Sequence, residues 1–252
     1  KTAIHKTSYQ IGDVNFQREL FANHPDNVIV MAVEGSQASS ISCRIRLEGV
    51  HPTAKQLIEN NTLIMKGQAP ALALRRSIET VKGWGQEWMY PELFDEKGAV
   101  IPGHSTIMYG DQLDGKGTFY EGRVAVELDG GELSVEGNQL VVRNANKLKL
   151  VLAGDTSFNG FDQSPSQAGI DPAQTTQANL DQALQKDLAT LKKEHLEDYQ
   201  ELFNRVDFSL GSLSAQSKLP TNQRLALFNN GKDPAFSTLF MQYARYLTIA
   251  SS

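Results

Sequence analysis

Apolar and polar residues alternate at period two through most of the first 158 residues, broken by Gly, Asn and Asp turns, and this pattern constrains the fold most. Successive strand side chains point to opposite faces, so such a chain must form sheets with one face buried. Tyr9 and Ile11 lead into Gly12-Asp13, after which Val14, Phe16, Arg18 and Leu20 share a face, the signature of a hairpin. Pro25-Asp26 marks a turn before an apolar run at residues 27–33. Ile41, Cys43, Ile45 and Leu47 then alternate with Arg44, Arg46 and Glu48. Asn60-Asn61 divides a further hairpin over residues 57–65. The pattern weakens between Gly67 and Gly117. It returns with Phe119, Tyr120, Val124, Val126 and Leu128, turns at Asp129-Gly130-Gly131, and continues through Leu133, Val135, Leu140, Val142, Leu148, Leu150 and Leu152. Short strands separated by turn residues predict an antiparallel sandwich or barrel rather than βαβ units.

The period changes after Phe161. Asp171-Pro172 is a helix start, with Asp as N-cap and Pro at the first helical position. Leu180, Leu184, Leu188, Leu191, His195, Tyr199, Leu202 and Val206 then recur at helical spacing, as one helix or as two with Asp187 opening the second. Phe208 and Leu210 fit a short strand before the Ser-rich residues 211–217. Asp233-Pro234 repeats the start signal, and Phe236, Leu239, Phe240, Tyr243, Leu247 and Ala250 make an apolar stripe that needs a partner. The first residues already alternate and the last sit in an uncapped helical pattern, so both ends read as cut.

A composition of 40% hydrophobic and 21% charged residues is that of an ordinary folded domain. The net charge of −5, with dispersed Lys and Arg, offers no face to neutralise phosphates, so nucleic acid is excluded as a partner. No apolar run approaches the ~20 residues that span a bilayer, and no signal peptide is legible. Cys43 is the only cysteine and reads as a buried strand thiol. His5, His24, His51, His104 and His195 show no metal-ligand spacing, so neither a metal site nor a cofactor is expected.

Six ordered segments carry a resemblance: RELFANHPDNVIVMAV at residues 18–33, LIMKGQAP at 63–70, MYPELFDEKG at 89–98, NANKLKLVLAGDTSFNGF at 144–161, HLEDYQELFNRV at 195–206, and residues 219–252, which close on a Gln-Tyr-Ala-Arg-Tyr run ending in Ile-Ala-Ser-Ser. In this order they resemble glycoside hydrolase family 95. The resemblance implies a mainly β chain: an antiparallel β super-sandwich over residues 1–158 without its first strands, linker helices over 159–218, and the first helix of an otherwise missing (α/α)6 barrel over 219–252. It further implies an inverting exo-glycosidase, an α-L-fucosidase or α-L-galactosidase. There a Glu acts as general acid and an Asp, working through Asn residues, helps activate water. Those residues would lie beyond Ser252, so no catalytic residue is assigned to this chain. Its expected partners are its own catalytic barrel and the oligosaccharide substrate of the full-length enzyme, with self-association possible through the terminal helix. Family members are often exported, although the chain itself carries no localisation signal.

The residues independently offer one cluster suited to sugar chemistry. Glu87, Glu92, Asp95 and Glu96 neighbour Trp84, Trp88 and Tyr90, and sugar cleavage needs paired carboxylates and flat apolar faces. The plainer reading is that Trp88, Tyr90 and Leu93 anchor a long loop while the acids are solvated. Trp84, Trp88 and Tyr90 therefore stand as candidate substrate contacts. The other features have plainer readings too. His195 fits a hydrogen-bonded, half-buried imidazole. The 155–158 segment, Asp-Thr-Ser-Phe, fits a strand end that satisfies turn backbone. Asp198 and Arg205 fit surface charges, and Gly67, Gly115 and Gly117 lack a phosphate-loop context. Two rival functions remain: a free-standing carbohydrate-binding β-module, signalled by an exposed aromatic platform, and a structural domain, signalled by buried aromatics and an apolar docking face.

Overall fold

The computed structural model describes residues 1–70, 72–73, 76–91, 93–102, 107–108, 116–228 and 233–251. The strands are β1 (His5–Ile11), β2 (Val14–Asn23), β3 (Val28–Gly35), β4 (Ile41–Ile45), β5 (Lys55–Glu59), β6 (Thr62–Gln68), β7 (Leu72–Ala73), β8 (Ile107–Met108), β9 (Phe119–Asp129), β10 (Glu132–Glu136), β11 (Gln139–Ala145) and β12 (Lys147–Thr156). Seven of them form one sheet in the order β1-β2-β3-β12-β9-β6-β5, three form a smaller sheet, β10-β11-β4, and β7 pairs with β8. All these pairings are antiparallel. The helices are α1 (Ile78–Gly83), α2 (Pro172–Leu184), α3 (Leu188–Phe203), α4 (Thr221–Leu227) and α5 (Pro234–Ala250). The mainly β, antiparallel class expected from the alternation is the class observed.

Turn chemistry accounts for the hairpins. Gly12, at φ +57, is the first turn residue between the paired Ile11 and Val14. Asn60 and Asn61 both take positive φ, 48 and 60, between the paired Glu59 and Thr62, as a two-residue hairpin loop of the primed type requires. Gly130-Gly131 does something else. It carries the chain from β9 in the large sheet to β10 in the small one. A Cβ on Gly131 would lie 2.4 Å from the Arg143 carbonyl oxygen, and its φ is +70, so only glycine fits there.

The two sheets pack face to face through Ile41, Val142, Ala145 and Leu148, and through Leu63, Val124 and Leu140. Cys43 sits half-buried beside the first group, and burial pushes its thiol up from the ordinary range. The large sheet buries its second face too. Phe21, Val28, Val30, Ala125, Val151 and Ala153 pack there against Leu180 and Ala183 of α2 and Leu191 of α3. The segment expected to serve as a linker thus supplies a third layer. It forms two helices, opened by Asp171 and Asp187, whose carboxylates accept from the N–H groups of Ala173 and Thr190. On α3 the buried positions are Leu191, His195, Tyr199 and Phe203. Leu202 and Val206, expected on that stripe, are exposed instead, because Phe203 continues the inward i, i+4 row. The short strand expected at Phe208 and Leu210 is irregular backbone. The Phe208 carbonyl accepts from Gln242 and the Leu210 N–H donates to the Thr238 hydroxyl, so α5 satisfies polar groups that a neighbouring strand would otherwise have met.

Candidate functional site

The candidate aromatic loop leaves the end of the large sheet between β6 and β9. Ser77 caps α1 by accepting from the Thr80 N–H, which places Val81 inward. Val81, Leu93 and Phe94 are buried together, with Ile78, Tyr90 and Val100 packed against them. Trp84 ends α1, is 57% exposed, and lies beneath the Arg76 guanidinium at 4.1 Å from the ring centroid. Trp88 is 77% exposed on the 3-10 turn Glu87–Met89. The loop is thus anchored by Leu93 and Tyr90, as expected, but not by Trp88, whose ring stays in solvent outside the apolar cluster. Asp95 is committed to its own turn, accepting at 2.9 Å from both the Lys97 and Ala99 N–H groups. Glu96 is exposed and Glu87 lies against Gly98. Glu92, His104 and Gly115 lie outside the described residues.

The remaining candidates have structural partners. The Asp155 carboxylate accepts from the Thr156 N–H at 2.7 Å, and the buried Ser157 hydroxyl accepts from the Phe119 N–H at 2.9 Å, closing the end of β12 onto β9. His195 is buried rather than half-buried. Its Nε2 donates to the Thr2 carbonyl at 2.8 Å, and its ring lies 5.0 Å from Phe21 and 6.2 Å from Tyr199. Because a carbonyl only accepts, that contact requires the proton on Nε2. Asp198 faces His24 at 3.4 Å and Arg205 pairs with Glu201, both on the surface. Gly67 packs against Tyr120, whose hydroxyl would lie 2.6 Å from an added Cβ. Among the described residues no group of three His, Cys, Asp or Glu could hold a metal, and no helix is long and apolar enough to cross a membrane.

The second candidate is the face of α5. Helices on globular proteins turn their apolar stripe inward, whereas the α5 stripe is exposed beyond Phe236. Arg245 donates to the carbonyls of Val206 (3.0 Å) and Phe203 (2.5 Å) and stacks on the Phe203 ring, while Tyr246 meets Tyr199 edge-on. Leu239, Phe240, Tyr243 and Leu247 are left exposed, Phe240 by 72%. Leu213, Leu225, Leu227 and Phe228 are exposed as well, and a cleft of about 810 Å³, which Leu213 also lines, separates α5 from the N-terminal residues 1–5.

The α4–α5 unit is held by a buried ion pair that sequence reading missed. Asp233 was legible only as an N-cap, and nothing in a nine-residue separation announces a guanidinium partner. Arg224 donates to both Asp233 oxygens, at 2.8 and 3.0 Å, and lies over the Phe236 ring. The Arg224 hydrogen bond holds the Asp233 carboxyl below the ordinary carboxylate range. A depressed folded-state pKa contributes stability that is present above the ordinary aspartate range and lost as pH falls through the lowered value. Arg224→Met is expected to loosen this unit and speed limited proteolysis between α3 and α5 about tenfold at neutral pH, with wild type approaching the variant in acid. Equal cleavage rates at neutral pH would show that the pair does not hold the unit.

Residues 1–160 match the family model for the glycosyl hydrolase family 65 N-terminal domain, and residues 187–252 match the glycosyl hydrolase family 95 catalytic domain. The whole chain is 28% identical to alpha-L-fucosidase 2 of Arabidopsis thaliana, covering 28% of that protein. It is 25% identical to probable alpha-fucosidase A of Aspergillus niger and 22% identical to that of Aspergillus oryzae, covering 27% and 30% of them. The chain thus spans less than a third of the length of the curated relatives it matches. Both matched segments come from glycoside hydrolases, and α5 lies within the one named for catalysis. The chain belongs to the glycosyl hydrolase family 65 N-terminal domain family and, with the family 95 sequence that follows, is a family 95-like portion of a glycoside hydrolase.

Proposed function

We propose that this chain is the scaffold portion of an inverting exo-glycoside hydrolase that releases terminal α-L-fucose, or α-L-galactose, from oligosaccharides. In this reading residues 1–158 form the sandwich, 159–218 join it to the barrel, and 219–252 supply the barrel's first helix. The acid and base act from sequence beyond residue 252. The observation that carries the reading is the outward apolar face of α5, inside a segment that matches a catalytic domain. Such a surface is favourable only when covered, and further helices of the same domain would cover it. The alpha-fucosidase names of the relatives supply the substrate class. The test is release of nitrophenol from 4-nitrophenyl α-L-fucoside by this chain and by a version extended to the relatives' length. Activity in the extended version alone is expected. Turnover by the 252-residue chain would overturn the scaffold reading and bring Glu87 and Asp95 forward.

The exposure of Trp84 and Trp88 favours a second reading, a carbohydrate-binding module with those rings and Tyr90 as contacts. Fucosyl oligosaccharides would then change the tryptophan fluorescence of the chain, and Trp88→Ala would remove the change. Without the missing helices, two copies can also cover each other's α5, which sedimentation at rising concentration would reveal.

A further inference from the structure

A second cleft, of about 1100 Å³, opens at the end of the large sheet between β5, β6, β9 and the loop that leads into α2. Its floor is unusual in charge. Lys55 and Lys66 are direct register partners on neighbouring strands, both are exposed, and neither has an ion-pair partner among the described residues. Like charges directly opposite on a sheet repel, so sequences normally place an acid in such a row. The acid next in this row, Glu121 opposite Lys66, is buried and already engaged by Arg123 at 2.6 Å and by the Thr176 hydroxyl at 3.1 Å. Asp171, on the far wall, is engaged in capping α2. The two ammonium groups therefore share a cleft that offers no free carboxylate among its described lining residues. Beside them the cleft presents a flat apolar face: the Phe119 ring is 42% exposed at its mouth, with Ile170 similarly open across from it.

We infer that this cleft binds an acidic saccharide, a short oligosaccharide carrying a carboxylate or sulfate. A sugar ring would stack on Phe119 and its anionic group would lie between Lys55 and Lys66. The volume suits two or three sugar rings and exceeds what an inorganic anion needs. The stacking face suits the C–H surface of a pyranose, and the uncompensated lysines select for negative charge. The site is separate from the loop holding Trp84 and Trp88 and from α5. It rests on the chain's place in a carbohydrate-active protein but not on fucosidase activity.

Calorimetric titration of the intact 252-residue chain with trigalacturonate, a sulfated trisaccharide and neutral maltotriose tests the inference. The acidic sugars are expected to bind, and rising salt to weaken them. The double variant K55Q/K66Q is expected to lose about tenfold in affinity, and Phe119→Ala a comparable factor. All three positions are exposed, so neither variant should lower the melting temperature appreciably, and lost binding is then local. Equal binding of maltotriose, or acidic binding that survives K55Q/K66Q, would overturn the charge assignment. No binding by the folded chain would overturn the site. Failure of hydrolysis in the nitrophenyl assay would leave this titration unaffected, so the two readings fail separately.

Discussion

Lys186→Met is expected to destabilise the protein by about 3–5 kcal/mol, because it strands a carboxylate that has no access to water. Asp26 sits in the turn between β2 and β3 with its side chain fully buried. Its Oδ1 accepts from the Lys186 ammonium at 2.7 Å and from Gln182 at 2.9 Å, while its Oδ2 has no hydrogen-bond partner among the described residues. Lys186 also reaches Glu194 at 2.7 Å, and its backbone carbonyl accepts from the Lys149 ammonium. Asn23, buried in the same turn, accepts from the Asp26 N–H and donates to the Leu191 carbonyl. The network ties one turn of the large sheet to the junction between α2 and α3. Asp26→Asn in the Lys186→Met background should recover much of the loss, since a neutral amide is less costly to leave unpaired than a charge. Urea melts of both variants decide it: a single variant within 1 kcal/mol of wild type, in place of the roughly 3–5 kcal/mol expected, would show that water reaches Asp26 after all. The pH dependence has a defined sign. The Asp26 hydrogen bond, and then that to Glu194, raise the Lys186 pKa above the ordinary lysine range. A raised folded-state value gives stability that is complete below the ordinary lysine pKa and lost as pH climbs through the raised one, so on the alkaline side the wild-type advantage over Lys186→Met should persist until strong alkali.

The second large effect is expected from Leu191→Ala, which should cost about 3 kcal/mol and lower the melting temperature by roughly 10 °C. Leu191 is fully buried in the cluster that holds Phe21, Val30 and Val151 of the sheet and Leu180 of α2, so truncation leaves a cavity in a core that the sheet and α2 share. Leu202→Ala on the same helix is the control. It lies 39% exposed and should change stability by less than about 0.5 kcal/mol. Similar losses at the two positions would mean that α3 does not dock on the sheet by the face described.

These two leucines mark how far local pattern reaches. Both lie on the apolar stripe of the sequence, and helical spacing alone cannot separate them, because a stripe wider than the contact it makes leaves its edge exposed. Phe203, absent from the expected stripe, took the inward place next to Leu202 because it continues the row of His195 and Tyr199 toward the sheet. In the aromatic loop, sequence proximity grouped Trp84, Trp88 and Tyr90. Folding separated them into two exposed indoles and one phenol packed on Val81, Leu93 and Phe94. The cleft beside Lys55 and Lys66 was not legible at all, since its walls come from strands and a loop more than a hundred residues apart.

The sequence by itself determined what depends on a few neighbouring residues. It set the strand alternation, the Gly12-Asp13 and Asn60-Asn61 turns, and the Asp caps of α2, α3 and α5, because the φ of a turn residue or the reach of a capping carboxylate is a local property. Only the tertiary structure decided that β12 lies between β3 and β9, and that Gly130-Gly131 passes between sheets instead of closing a hairpin. It also decided that α5 meets α3 through Arg245 and Tyr246 and not through its apolar stripe. Pairing partners distant in sequence are chosen by which faces can be buried together. The orientation of α5 is chosen by Arg245, which finds the unpaired carbonyls of Phe203 and Val206 at the end of α3, a demand no period in the sequence records.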